Sequence, residues 1–249
     1  MVRNVIIDGN NHISVCMYRV DSNLRKEFPD KLEEYLPGAV RKLYIAMLRK
    51  LQRDFGEFSN YFLVWDSPEG SAWRKQLLTS YKSNRSHHDA LQTAIAIGKE
   101  VAEELCITNI EVPGAEADDA IYTLCRETSA INVENIVISR DQDMIQIVQQ
   151  GHAQRVFDPV SKKDLEIPSY DIVDFKALSG DASDNIPGLK GVGPSRAIKI
   201  LEQGGISSLT PSLREEAEGY RKVVSLMENP SYKQNAAYIN NIIKELSYE

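Results

Sequence analysis

Residues 5–8 read VIID, and the same form, a short apolar run closed by an acid, returns at 61–66 (YFLVWD) and 135–141 (NIVISRD). A fourth run, ITNIEV at 107–112, is followed within a few residues by Glu116. These runs do not alternate with polar residues, which is the pattern of strands buried on both faces. Between them the spacing turns helical. Val40, Leu43, Tyr44, Met47 and Leu51 recur at helical intervals within 39–54, a second helix is predicted over 91–105, and a third begins near Glu116. Strands alternating with helices predict an α/β fold, a mostly parallel central sheet flanked by helices. Such sheets bind ligands beyond the carboxyl ends of their strands. Asp8, Asp66 and Asp141 would then converge on one place.

The 249 residues are enough for one large core with a smaller appendage, and the 42% hydrophobic content supplies it. No apolar run approaches the ~18 residues of a membrane span. The opening MVRNVIIDGNN meets an acid too early for an export signal. Cys16, Cys106 and Cys125 are odd in number and far apart, which points to a reducing, cytoplasmic setting rather than a disulfide framework. The histidines offer no zinc spacing with them, and His87 and His88 read as an exposed polar pair. The net charge of −7 at first opposes nucleic-acid binding, but a site built of carboxylates is acidic until metal arrives.

The acids are Asp8, Asp66, Glu116, Asp118, Asp119, Asp141, Asp143, Asp181 and Asp184, grouped in GAEADDA (114–120), SRDQD (139–143) and GDASDN (180–185). Hard divalent cations such as magnesium take oxygen ligands. Two of them about 4 Å apart can clamp both oxygens of a phosphodiester hydrolysis. Read singly, Glu116, Asp118 and Asp119 are better explained as acids capping a helix start, and Asp8 or Asp66 equally well as solvated strand ends. Their combination, in this order on these elements, carries the metal reading.

Residues 67–90 are polar and longer than an ordinary connection, and they mix Trp73, Arg74, Lys75, Tyr81, Lys82 and Arg85, a composition suited to single-stranded nucleic acid. Beyond about residue 168 no strand is evident. An α/β core over 1–168 and a helical region over 169–249 are therefore expected. Within the latter, GLKGVGPS at 188–195 has glycines at 188, 191 and 193 for close backbone approach and Pro194 for a first helical turn. Amides at that helix start can hold a phosphate, with Arg196 and Lys199 nearby.

Together IIDGNN, VWDSP, SYKSNR, GAEADD, SRDQDMIQ and GDASDNIPGLKGVGPSRA resemble, in order over roughly 1–205, the 5′-nuclease family of flap endonucleases, phage 5′→3′ exonucleases and the 5′-nuclease domain of bacterial DNA polymerase I. The resemblance implies a stand-alone, PIN-like nuclease core that cuts DNA at 5′ ends, nicks and 5′-flap junctions in replication or repair, with RNA primers on DNA as a further expected substrate. It places Asp8, Asp66, Glu116 and Asp118 in a first metal cluster, Asp141, Asp143, Asp181 and Asp184 in a second, and Asp119 between them. Two magnesium ions, replaceable by manganese, are implied, with potassium at the hairpin. Residues 67–90 would form a helical arch in which Lys82 and Arg85 act on the scissile phosphate and Arg74 and Tyr81 contact DNA. Gly188, Gly191, Gly193, Ser195, Arg196 and Lys199 would hold duplex DNA in a helix–three-turn–helix at about 180–201. The sequence departs from the family at SRDQD, where Arg140 stands in place of a small polar residue. A catalytically silent junction binder and a PIN-like ribonuclease are the competing readings. The complete acidic set counts against the first, and GLKGVGPS against the second.

Overall fold

The computed structural model describes residues 2–84, 89–131, 133–227 and 229–245. In chain order, β1 (Arg3–Asp8) passes directly into α1 (Gly9–Glu27), and α2 (Leu32–Phe55) returns to β2 (Asn60–Trp65). A short α3 (Ala72–Leu77) precedes α4 (Asp89–Glu104), β3 (Thr108–Glu111), α5 (Ala117–Ser129) and β4 (Glu134–Ile138). Then come α6 (Ile145–Gln149), β5 (Arg155–Asp158) and the two-residue β6 (Lys163–Asp164). The remainder is helical, with α7 (Ile172–Ser179), α8 (Pro194–Glu202), α9 (Pro211–Val224) and α10 (Tyr232–Glu245).

The strands form one sheet in the order β3-β2-β1-β4-β5-β6, parallel except for β6. The chain adds β2 and β3 on one side of β1, then crosses to build β4 and β5 on the other. That reversal leaves a crevice between β1 and β4, at the carboxyl ends of the strands. The three central strands β1, β2 and β4 bury both faces, which explains their unbroken apolar runs. Val5, Ile7, Leu63, Trp65 and Ile136 pack under α1, α2 and α4, whereas Ile6, Phe62, Val64 and Val137 pack against α5, α6 and α10. Asp8 ends β1 and caps α1, accepting the Asn11 amide at 3.0 Å.

The sheet ends at residue 164, in keeping with the change of pattern in the sequence. The helical region is nonetheless tied back to the core through α10. Ile239 is fully buried against α5, the Tyr232 hydroxyl donates to Glu127 at 2.5 Å, and the Asn240 amide donates to the other Glu127 oxygen at 2.7 Å.

One glycine of GLKGVGPS belongs to this framework rather than to its surface. Gly188 is buried with φ of +67°, and a Cβ there would lie 2.2 Å from the Gly180 nitrogen. Gly191 has φ of +74° but open space around it. Gly188→Ala should therefore cost about 3 kcal/mol or more, since strain and overlap add. Gly191→Ala should cost only about 1 kcal/mol, from backbone strain alone. Urea midpoints of the two variants check this; equal losses would show that the Gly180–Gly188 approach is not tight.

Candidate active site

Four acids meet in the crevice. Asp8 comes from the end of β1, Asp66 from just past β2, Asp118 from the first turn of α5, and Asp141 from the turn after β4. They line a cleft of about 300 Å³ together with Asn10, Asn11 and Lys82. The backbone around them is fixed by side chains. The second Asp8 oxygen accepts the Ser139 hydroxyl at 2.9 Å, and that hydroxyl accepts the Asp141 amide at 3.0 Å. Asn10 accepts the Asp66 amide at 2.9 Å, and Asp66 accepts the Ala117 amide at 2.7 Å, tying β2 to the start of α5. Asp143 sits in the same turn as Asp141, its amide donating to an Asp141 oxygen at 2.9 Å. One oxygen from each of Asp118, Asp141 and Asp143 lies within 4.8 Å of the others.

A second cleft, of about 550 Å³, adjoins the first at Asn11 and Asp141 and is lined by Arg140, Lys176 and Asp181. Asp181 opens a tight turn closed by paired 2.8 Å backbone bonds with Ile186. Its side chain accepts the Ser183 amide and hydroxyl at 2.8 and 2.6 Å. The Lys176 ammonium donates to Asp143 at 2.6 Å and pairs with Asp181 at 2.7 Å. Lys82 plays the same part elsewhere, 2.5 Å from Glu116 and 3.7 Å from Asp184.

This crowding shifts the carboxyl groups apart. Burial, with Asp66 and Asp141 close by, pushes Asp8 up to about 7. Burial and Asp141 raise Asp118 well above the ordinary carboxylate range. Burial raises Asp143 as well, against the pull of Lys176. Asp181 goes the other way: its burial is outweighed by Lys176 and the Ser183 bonds, and it falls to about 2. Glu116, though buried, is lowered by Lys82 and Arg74. Burial thus dominates at Asp8, Asp118 and Asp143, and cationic partners dominate at Asp181 and Glu116. An all-oxygen set of this kind suits a hard divalent cation, whose charge would relieve the repulsion.

The family model described as the 5′-3′ exonuclease N-terminal resolvase-like domain matches residues 3–176, and that of the 5′-3′ exonuclease C-terminal SAM fold matches 167–245. The chain belongs to the 5′-3′ exonuclease family. It is 28% identical to DNA polymerase I of Rhizobium leguminosarum over 215 residues, covering 80% of this chain but 20% of that protein. It is 31% identical to the flap endonuclease Xni of Shewanella halifaxensis over 179 residues, covering 69% of this chain and 67% of that one. The chain spans about a fifth of the length of the polymerase relatives. Its fold matches that of the bacteriophage T5 flap endonuclease, solved as a pseudo-enzyme–product complex with DNA and metal ions. The TM-score is 0.71 at 18% identity, over 97% of this chain and 99% of that one.

Within this exonuclease fold, several side chains lie elsewhere than the resemblance implies. Arg74 is 2% exposed and makes no surface for DNA. Its guanidinium donates to both Asp119 oxygens at 2.7 and 2.8 Å, to Glu116 at 2.5 Å and, through Nε, to the Val223 carbonyl at 2.9 Å. Asp119 therefore has both oxygens engaged by Arg74. Tyr81 is also buried, its hydroxyl donating to Glu116 at 3.1 Å. Glu116 is the hub of this network rather than a free ligand. Gly188 is internal, as shown above, whereas Gly191, Gly193, Ser195, Arg196 and Lys199 are exposed at the start of α8. Gly193 caps that helix without a side-chain bond. Arg85, with His87 and His88, lies outside the described residues.

The sequence reading passed over Lys176, Asn10, Asn11 and Ser139 as site residues. IIDGNN did contain the two asparagines, and SRDQD the serine. Lys176 gave no signal: it looked like one more helix cation, five residues before Asp181.

Two outcomes follow from this geometry. Arg74→Ala should destabilise the protein by about 3–5 kcal/mol, because it strands the buried Asp119 carboxylate and takes a donor from Glu116; a urea midpoint near wild type would return Arg74 to the surface role. Divalent-cation binding at pH 6 should release protons, since Asp8 is then mostly protonated and must ionise to act as a ligand. Calorimetry in two buffers of different ionisation heat reads that release, which should shrink above pH 8.

Proposed function

We propose that this protein is a structure-specific 5′-nuclease that hydrolyses DNA phosphodiester bonds at 5′ ends, nicks and 5′-flap junctions, using two magnesium ions for which manganese can substitute. The observation that carries this reading is the convergence of Asp8, Asp66, Asp118 and Asp141 around one cleft with Lys82 on its wall. A pure DNA binder gains nothing from aiming acids at phosphates. Asp143, Asp181 and Asp184 continue the set into the adjoining turn. Cations held there would supply an activated water and stabilise the attacking and leaving oxygens.

The chain's own residues account for the rest. Lys82 comes from the base of the proposed arch, where its backbone amide donates to the Asp184 carbonyl at 2.9 Å. Its ammonium is positioned to meet charge developing on the scissile phosphate, and Arg85 is expected to join it. Downstream duplex would dock on the exposed amides of Gly191, Gly193 and Ser195, with Arg196 and Lys199 as flanking cations and potassium as a further ion at the hairpin. Asp184 ends the acidic turn that leads into this hairpin, so one short segment links chemistry to duplex grip. Because phosphate contacts do not read the sugar, RNA primers on DNA are included as substrates. The three cysteines are free, and no helix among the described residues is long and apolar enough to cross a membrane. Both facts support work in a bacterial cytoplasm or phage-infected cell.

Cleavage of a labelled 5′-flap should require magnesium or manganese, while calcium supports binding without turnover, being larger and less demanding of octahedral geometry. Asp184→Asn should lower the single-turnover rate more than a hundredfold yet bind DNA as well as wild type or better, through loss of one repelling charge (about 1 kcal/mol per pair at the surface). Cutting in excess chelator, or an Asp184→Asn rate within tenfold of wild type, would overturn the reading.

A further inference from the structure

Three cations line or border the two clefts, and two of them are occupied. Lys82 is held by Glu116, and Lys176 bridges Asp143 and Asp181. Arg140 differs. Its side chain is half exposed and makes only a loose ion pair with Asp158, whose Oδ1 lies 3.7 Å from the Arg140 Nε. That distance is too long for a hydrogen bond. The same Asp158 oxygen already accepts the Val160 amide at 2.8 Å. Among the described residues the Arg140 guanidinium donates no hydrogen bond.

The backbone beneath it is rigid. Ser139 is fastened to Asp8 and Asp141, and the Arg140 amide is directed at the Asn11 side chain at 3.4 Å. Asn11 and Asp141 are where the two clefts meet. Lys82 lines the cleft on one side of that meeting point, and Arg140 lines the other. An arginine so placed offers a planar fork of donors on the wall of a cleft it shares with Asp141 and Asp181. The fork matches the oxygens of a phosphate, which a lysine would meet only as a point charge. Asp143 and Asp181 are each held by Lys176, at 2.6 and 2.7 Å, rather than by Arg140.

We infer that Arg140 grips the backbone phosphate next to the scissile one, a substrate contact on the flank of the cleft away from Lys82. The inference rests on the nuclease reading above. It makes Arg140 a binding residue, so its effect belongs in affinity more than in the rate of the bound complex.

The test measures binding of a 5′-flap DNA by fluorescence anisotropy in calcium over a range of salt, with single-turnover cleavage in magnesium at saturating DNA. Arg140→Ala should weaken binding by about tenfold, the loss of one charge-assisted contact. It should flatten the log–log salt dependence by roughly 0.7–0.9. The saturated rate should fall by less, to no lower than about a third. Arg140→Lys should keep the salt slope with intermediate affinity. A DNA with one neutral methylphosphonate beside the scissile linkage should weaken wild type but barely affect Arg140→Ala. Unchanged affinity and slope in Arg140→Ala would overturn the inference, as would a loss confined to the saturated rate, a slope lost in Arg140→Lys too, or a methylphosphonate effect that persists in Arg140→Ala. If wild type itself neither binds nor cuts the flap, the nuclease reading fails first, and the experiment separates the two.

Discussion

Mutual repulsion among carboxylates is the constraint on which the rest of this structure depends. Asp8, Asp118 and Asp143 are brought beside Asp66 and Asp141, and burial and like charge both oppose the ionisation of the first three. A flexible scaffold would relieve that by letting the acids separate. Here they stand at strand ends and in the first turn of a helix, on backbone tied down by Ser139, Asn10 and Asn11. The energy stored in the arrangement is what makes the site ready for cations, and the rigid parallel sheet is what keeps it from relaxing.

Buried cations manage the remaining charge. Arg74, Lys82 and Lys176 each lie within 4 Å of more than one carboxylate, and each has at least one partner from a different part of the chain. Ion pairs this deep add little net stability over an apolar core, but losing one partner is expensive. Their effect is to fix geometry. Arg74 joins α3, the start of α5 and the end of α9 at one guanidinium. The segment carrying Lys82 is locked to the acidic turn of the helical region by Asn185, which donates to the Ser80 carbonyl and the Ser83 hydroxyl at 2.9 Å each. The base of the proposed arch is therefore an anchored element, and the position of Lys82 depends on contacts more than 100 residues away in sequence.

The glycine-rich segment shows how one motif divides between structure and surface. Gly188 allows two backbones to touch inside the fold, while Gly191 and Gly193 leave open space outside it. Only the second kind of glycine is free to admit a ligand. The two are indistinguishable in sequence, because each is simply a residue without a Cβ.

The sequence by itself pointed to the sheet, the order of its acids and a change to helical pattern after about residue 168. Those features are written in local chemistry: an unbroken apolar run needs burial on both faces, and a strand-end acid needs a place beyond the sheet. It also determined which carboxylates could share a site, because parallel strands bring their carboxyl ends together. What only tertiary structure decided is which charges neutralise which. In the sequence Arg74 and Tyr81 stood in a polar stretch and resembled nucleic-acid contacts, and Asp119 was one of three neighbouring acids. Packing turned Asp119 inward, one helical position beyond Asp118, and placed Arg74 against both its oxygens. Lys176 acquired its partners the same way, from a helix whose spacing gave no hint of them. Ion pairing between residues 33 to 45 apart depends on how elements pack in three dimensions, and no local pattern in the chain encodes it.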